Sequence, residues 1–248
     1  MTTAKTYTPQ DLDRVAADLE SAKPESILRW AVDEFFPDLT LACSFGWPSG
    51  MVLVDMIAKI EPRVEVFYLD TDFLFAETYA TRDHVIERYG VNAVAYKPLL
   101  TPAEQSAQHG AELWLSDPDR CCALRKVEPN ERALAGKRAW ISGLRRDQAA
   151  TRRETPIVQC DERFGLVKNN PLVNWTEGDV WAYILSNDVP YNPLHDQDYP
   201  SVSCTYCTRP VQPGEDLRAG RWQGQDKVEC GLHPAGLMPL VRGEENTG

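Results

Sequence analysis

Leu12, Val15, Ala16 and Leu19 recur at helical spacing. They follow Thr8-Pro9-Gln10-Asp11, which reads as a helix start, with a threonine N-cap and proline at the first helical position. The same logic predicts a second helix over residues 24–35. Beyond it the pattern alternates. Residues 39–43 (LTLAC) read as a buried strand, followed by a turn and a helix around 51–60. VEVFYL (64–69) is the next strand, leading through Asp70-Thr71-Asp72 to a helix over 75–89 that Gly90 stops. VNAVAY (91–96) is a third strand, with a helix after Pro102, and AWISG (139–143) is a fourth. Thr176-Glu177-Gly178-Asp179 opens a further helix with Val180, Tyr183 and Ile184 on one face. Strands alternating with helices of this length predict an α/β fold, a mostly parallel sheet flanked by helices. After Asn187 the many prolines and glycines leave little room for regular structure. The chain therefore divides into an α/β domain over 1–203, N-terminal helices included, and an extended C-terminal tail over 204–248.

Composition narrows the partners. Lys plus Arg number 26 against 37 Asp plus Glu, a net charge of −11. Such a chain is repelled by nucleic acids and anionic membranes unless basic residues concentrate locally, so neither is expected as a partner. The longest apolar run, residues 51–58, is broken by Asp55 and too short to span a bilayer. The charged N-terminus lacks the apolar core of a secretory signal, which points to the cytoplasm. In that reducing compartment, seven cysteines suggest metal binding or thiol chemistry rather than a disulfide framework. The oligomeric state stays open, a homo-oligomer included.

In an open parallel sheet, ligands bind beyond the carboxyl ends of the strands. Three segments follow strands directly: residues 44–50, Asp70-Thr71-Asp72 and Gly143-Leu144-Arg145-Arg146. The first, with Ser44 and Gly46, resembles an anion-binding turn before a helix N-terminus, although it lacks the GK[ST] ending of a Walker A loop. Residues 145–153 (RRDQAATRR) hold four arginines, Arg145, Arg146, Arg152 and Arg153, against one aspartate. Guanidinium forks pair bidentately with phosphate or sulfate, so this excess marks a candidate anion site. Arg209, Arg218 and Arg221 would join it if the tail folds over.

Two close cysteine pairs, Cys121-Cys122 and Cys204-Thr205-Tyr206-Cys207, suit a tetrahedral zinc or a [4Fe–4S] cluster. Adjacent helical residues point about 100° apart, which favours separate iron corners over one small ion without deciding between them. Cys43 and Cys160 read as core or incidental. Cys230 lies in the Pro/Gly-rich tail beside His233, where an accessible thiol with cationic neighbours becomes a candidate nucleophile.

Leu69-Asp70-Thr71, Cys121-Cys122-Ala123-Leu124-Arg125-Lys126, Gly143-Leu144-Arg145-Arg146 with Thr151-Arg152, the Cys204/Cys207 pair and Glu229-Cys230-Gly231-Leu232-His233 occur in that order. Across residues 41–233 the chain thereby resembles the assimilatory sulfonucleotide reductases, specifically adenosine 5′-phosphosulfate (APS) reductases of the iron–sulfur type. The resemblance implies a nucleotide-binding domain of the adenine nucleotide alpha hydrolase-like, ATP-pyrophosphatase-like fold. It implies a [4Fe–4S] cluster on Cys121, Cys122, Cys204 and Cys207. It also implies that Cys230 attacks the sulfate sulfur of APS, expelling AMP, and that thioredoxin or a similar dithiol then releases sulfite. Lys126 would lie between cluster and substrate, and Arg218 and Arg221 would contact the phosphosulfate. Ser44, Gly46, Asp70, Thr71, Arg145, Arg146 and Arg152 complete the expected substrate contacts. Two departures stand out: Asp72 replaces the glycine common in relatives, and residues 44–50 lack the aspartate of the SGGxDS loop. The second disfavours an ATP-dependent thiolation enzyme of the same fold. A reductase for the 3′-phosphorylated nucleotide (PAPS) is the near alternative, and a non-catalytic zinc module is the distant one.

Overall fold

Three helices begin where threonine caps place them. Thr8, Thr101 and Thr176 each accept from the backbone N–H three residues on, and an acidic side chain returns the bond, before α1 (Pro9–Leu19), α5 (Pro102–His109) and α9 (Glu177–Ser186). The structure is a computed structural model that describes residues 6–232 apart from Val228. His233, adjacent to the candidate nucleophile, lies outside the described residues.

The chain continues through α2 (Pro24–Phe35), β1 (Leu39–Ala42), α3 (Pro48–Ile60), β2 (Glu65–Leu69), α4 (Ala76–Tyr89) and β3 (Ala93–Tyr96). After α5 come α6 (Leu113–Ser116) and α7 (Pro118–Cys122), then a π-helical turn, Ala123–Val127, that runs into α8 (Glu128–Leu134). The last strands are β4 (Ala139–Ile141), β5 (Val158–Asp161) and β6 (Leu166–Asn169), ahead of α9. The six strands form one sheet in the order β3-β2-β1-β4-β6-β5. All neighbours pair parallel except the edge pair β5/β6.

Alternation along the strands assigns two faces. Val66, Tyr68, Ala139 and Ile141 join the larger core with α2, α3 and α9, whereas Phe67 and Trp140 join Ala133 and Leu134 of α8 on the other side. The mostly parallel, helix-flanked sheet is the expected fold. The β5/β6 hairpin was not legible, because its edge strand is half polar and β6 carries buried Lys168 and Asn169. Cys160 stands exposed on β5 and takes no part in the core, whereas Cys43 is buried just after β1.

Strand order reverses between β1 and β4. Such a switch point opens a crevice at the carboxyl edge of the sheet, and the segments after β1 and β4 flank it. Among the described residues of 204–232 there is one short 3-10 turn, Thr205–Cys207, with isolated bridges Leu74↔Cys204 and Thr208↔Arg221. These tie the tail back across that edge.

Candidate functional site

A cleft of about 190 Å3 opens at the switch point. Its floor is the segment between β1 and α3. Ser44 Oγ accepts from the Gly46 N–H, and Pro48 and Ser49 begin α3, whose first backbone N–H groups have no partner within the helix. At position 50 a Cβ would stand 3.1 Å from Cys43 Sγ, so any side chain there requires that sulfur to give way. His195, which the sequence did not single out, bonds Gly46 O at 3.0 Å.

Lys126, Arg152, Arg218, Arg221 and Cys230 line this cleft together with Ser44, Gly46 and Thr71. The described part of the tail, up to residue 232, supplies three of these and so closes one side of the cleft. Arg221 is buried, donating to Cys207 O and Ser201 Oγ and lying 4.3 Å from the Trp222 ring centre. Lys126 is buried and donates to Ser203 Oγ at 2.7 Å. Burial opposes its charge, but the Cys204, Cys122 and Cys230 sulfurs hold its pKa above the ordinary lysine range.

Three expected contacts fall elsewhere. Arg145 is fully buried against Ser49 Oγ, Asp147 and Glu177, so it braces the start of α3 against α9 instead of facing the cleft. Arg146 turns to the opposite surface, where it pairs with Glu20 and donates to Asn174 Oδ1 and Thr155 O. Consecutive residues in an extended or 3-10 segment point apart, so an arginine run cannot aim every member at one anion. Asp70 lies beside the cleft without lining it, accepting from Tyr79 OH at 2.6 Å and pairing with Lys97. Asp72 adopts a left-handed φ of 57°, a conformation natural to glycine, and its carboxylate pairs with Lys97 and Arg125. Sequence reasoning also passed over Gln148, Ser203 and Trp222, all cleft-lining. Only Trp222 left a signal, a large aromatic in a Pro/Gly-rich stretch.

Cys121, Cys122, Cys204 and Cys207 line a second, small pocket next to the first, walled by Phe73, Trp114 and Tyr206. Trp114 and Tyr206 stack at 3.9 Å. The end of α7 carries one pair, and the tail, held at Thr205 N–H to Phe73 O, carries the other. Burial and then the neighbouring sulfurs push Cys121 up to about 12, and Cys207, buried beside Cys204, rises to about 11. Cys204 is lowered despite its burial, by Lys126 and the Thr71 hydroxyl. Four thiols gathered away from water resist ionising together, which is the condition that a cationic metal core relieves. Arg125 Nη2, buried on this pocket, has no hydrogen-bond partner and adds a donor for a sulfur-rich group. The donor set therefore fits a metal group. Among the described residues, no three Cys, His, Asp or Glu side chains converge closely enough to hold a single ion.

The sequence model of the phosphoadenosine phosphosulfate reductase domain matches residues 38–210, well over half of the chain. The chain belongs to the phosphoadenosine phosphosulfate reductase family. As a member of this reductase family it is an oxidoreductase, and its sheet is the adenine nucleotide alpha hydrolase-like fold of that family. Adenosine 5′-phosphosulfate reductase of Lysinibacillus sphaericus is 50% identical over 208 residues, covering 84% of this chain and 89% of that protein. Phosphoadenosine 5′-phosphosulfate reductase of Gloeobacter violaceus is 48% identical, covering 90% and 93%. The crystal structure of phosphoadenylyl-sulfate reductase from Candida auris, a phosphate complex, superposes with a TM-score of 0.74 at 35% identity, covering 83% of this chain and all of that one. FMN adenylyltransferase of Candida glabrata, 14% identical with a TM-score of 0.55, covering 85% of this chain and 70% of that one, shares the fold alone. The family match spans all six strands and both cysteine pairs but ends before Cys230.

Proposed function

We propose that this reductase converts adenosine 5′-phosphosulfate to sulfite and AMP in sulfate assimilation, with Cys230 as nucleophile and thioredoxin or a similar dithiol as reductant. The observation that carries the reading is the meeting of one tail thiol with Lys126, Arg152, Arg218 and Arg221 in a cleft at the switch point. Curated relatives about 50% identical and named for this substrate support it. Ser44, Gly46 and Thr71 line the same cleft and are its proposed nucleotide contacts.

The chemistry follows from charge. A thiolate approaching a sulfated phosphate meets an anion, and converging cations offset that repulsion most in the transition state, where charge gathers on the leaving phosphate. The Cys230 Sγ forms a bond to the sulfate sulfur while the sulfur–oxygen bond to the phosphate breaks, and AMP leaves with the electron pair. The product on the chain is an S-sulfocysteine. A dithiol thiolate then attacks Cys230 Sγ, releasing sulfite, and its second thiol resolves the mixed disulfide. The two electrons come from that dithiol. AMP departs over the N-terminus of α3, where backbone N–H groups of the first turn donate to its phosphate.

Cys121, Cys122, Cys204 and Cys207 would hold a [4Fe–4S] cluster, each sulfur meeting its own iron. Bound there, it would cross-link α7 to the tail and add a fixed charge behind Lys126. That lysine, between the cysteines and the cleft, steadies developing negative charge on the sulfonate.

Anaerobic protein mixed with APS and no reductant should gain one sulfo group on Cys230 by mass spectrometry. The Cys230→Ser variant should gain none and release no sulfite while keeping the same iron and sulfide content as wild type. Sulfite release at the wild-type rate by that variant overturns the mechanism. The Gloeobacter violaceus relative named for the 3′-phosphorylated nucleotide supports a second reading. Side-by-side rates on APS and PAPS decide, and a strong preference for PAPS replaces the first.

A further inference from the structure

Glu229 precedes the proposed nucleophile by one residue, and its carboxylate lies on the arginines of the cleft. Arg152 grips it with a two-pronged fork, Nε to Oε1 at 3.0 Å and Nη2 to Oε2 at 2.8 Å. Arg218 Nη2 reaches the same Oε2 at 3.4 Å. The Arg152 and Glu229 side chains are only 11% and 13% exposed, so the pair is largely shielded from water. One residue beyond Cys230, Arg163 Nη1 donates to Gly231 O at 2.7 Å. Cys230 is thus bracketed by an arginine anchor on each side. Glu229 also lines the cleft itself. An oxyanion entering the cleft meets arginines whose donors already hold a carboxylate.

We propose that Glu229 is a positioning residue that acts as an internal anion. In the substrate-free chain its carboxylate takes the place of a phosphate or sulfate on Arg152 and Arg218, and in doing so holds Cys230 over the cleft. Substrate binding is then an exchange, in which the incoming oxyanion takes Arg218 and competes for Arg152. Glu229 costs binding affinity and contributes to sulfur transfer by keeping the thiol in place. The role of the thiol rests on the proposed reaction; the anion exchange does not.

The two effects separate in Glu229→Gln, which keeps the shape of the side chain and removes its charge. Isothermal titration with AMP, a probe that needs no turnover, should report binding about tenfold tighter, because charge-assisted bonds of this kind are released. Single-turnover formation of the Cys230 adduct from APS should slow about tenfold or more, since the anchor is weakened. Iodoacetamide should label Cys230 faster in that variant, read by peptide mass spectrometry, and Glu229→Asp should recover part of the transfer rate. AMP affinity at or below wild type, or adduct formation at the wild-type rate, overturns the inference. If wild-type protein forms no adduct yet Glu229→Gln still tightens AMP binding, the proposed reaction fails and the exchange stands. If wild type forms the adduct and AMP binding is unchanged in the variant, the inference fails and the proposed reaction stands.

Discussion

Gly220 offers a direct test of whether the folded-back tail builds the cleft. A methyl group at this position would stand 2.3 Å from Arg209 O, with Val211 Cγ1 at 3.3 Å. The first distance is more than 1 Å short of van der Waals contact, and the obstacle is backbone, so no side-chain rotation relieves it. The two tail segments around Arg209 and Gly220 must part. Parting them breaks the bond from Arg209 N–H to Gly220 O and the bridge between Thr208 and Arg221. It also carries away Arg221, which lines the cleft and is held by Cys207 O. Overpacking of this kind costs about 1–3 kcal/mol, and a lost hydrogen bond adds about 1 kcal/mol. A combined cost near 2–4 kcal/mol shifts the closed-to-open equilibrium of the tail by roughly 30- to 1000-fold. Gly220→Ala should therefore weaken AMP binding and sulfite release by at least tenfold, measured by titration calorimetry and steady-state assay. The thermal midpoint should move little, because the main core is built from α2, α3, α9 and the sheet. Gly178→Ala is the control: it adds a methyl within α9 with nothing closer than 3.6 Å. Wild-type AMP affinity in Gly220→Ala would refute the view that the tail completes the site.

Three further outcomes follow from particular contacts. Cys122→Ala should lose iron and sulfide from anaerobically purified protein, and unchanged iron content rejects the ligand assignment. Arg146→Gln should keep the wild-type turnover within about twofold, while losing about 0.5–1 kcal/mol of stability in urea titration from the exposed Glu20 pair; a collapse in turnover would return Arg146 to the cleft. His195 is held below its ordinary 6.5 by burial, so the folded chain binds fewer protons than the unfolded one just below that value, and this share of stability, full above 6.5, is lost as pH falls. His195→Gln should therefore lose less thermal stability than wild type between roughly pH 7.5 and 5.5, and equal losses would show that His195 is not a source of the slope.

Local chemistry carried most of the fold into the sequence. A threonine cap followed by an acidic residue three positions on fixes where α1, α5 and α9 begin, through bonds made within four residues. Strands buried on both faces, such as β1 and β4, read as continuous apolar runs. The β5/β6 hairpin gave no such signal: burial of Lys168 and Asn169 is set by distant partners, Lys168 lying 4.6 Å from the Trp140 ring centre. The helical run from α7 to α8 was equally quiet. Its π-helical turn, Ala123–Val127, places Arg125 and Lys126 inward, a registry that a 3.6-residue period does not predict.

The arginines show the limit most clearly. Residues 145–153 announce positive charge, but charge density in sequence says nothing about direction. Arg145 is consumed by Asp147 and Glu177, Arg146 by Glu20, and only Arg152 reaches the cleft. Glu177 and Glu20 lie 32 and 126 residues away along the chain. They are the groups that sort one arginine from the next. A buried guanidinium must find a carboxylate or remain unpaired at considerable cost, so the acids decide which cations stay available for a ligand. In this net-acidic chain, even Arg152 is met by an acid, Glu229, and that acid travels with the thiol. Among the described residues lining the cleft Glu229 is the one acid, paired with Arg152 and Arg218, and under the proposed exchange a substrate oxyanion would compete with it for those two arginines.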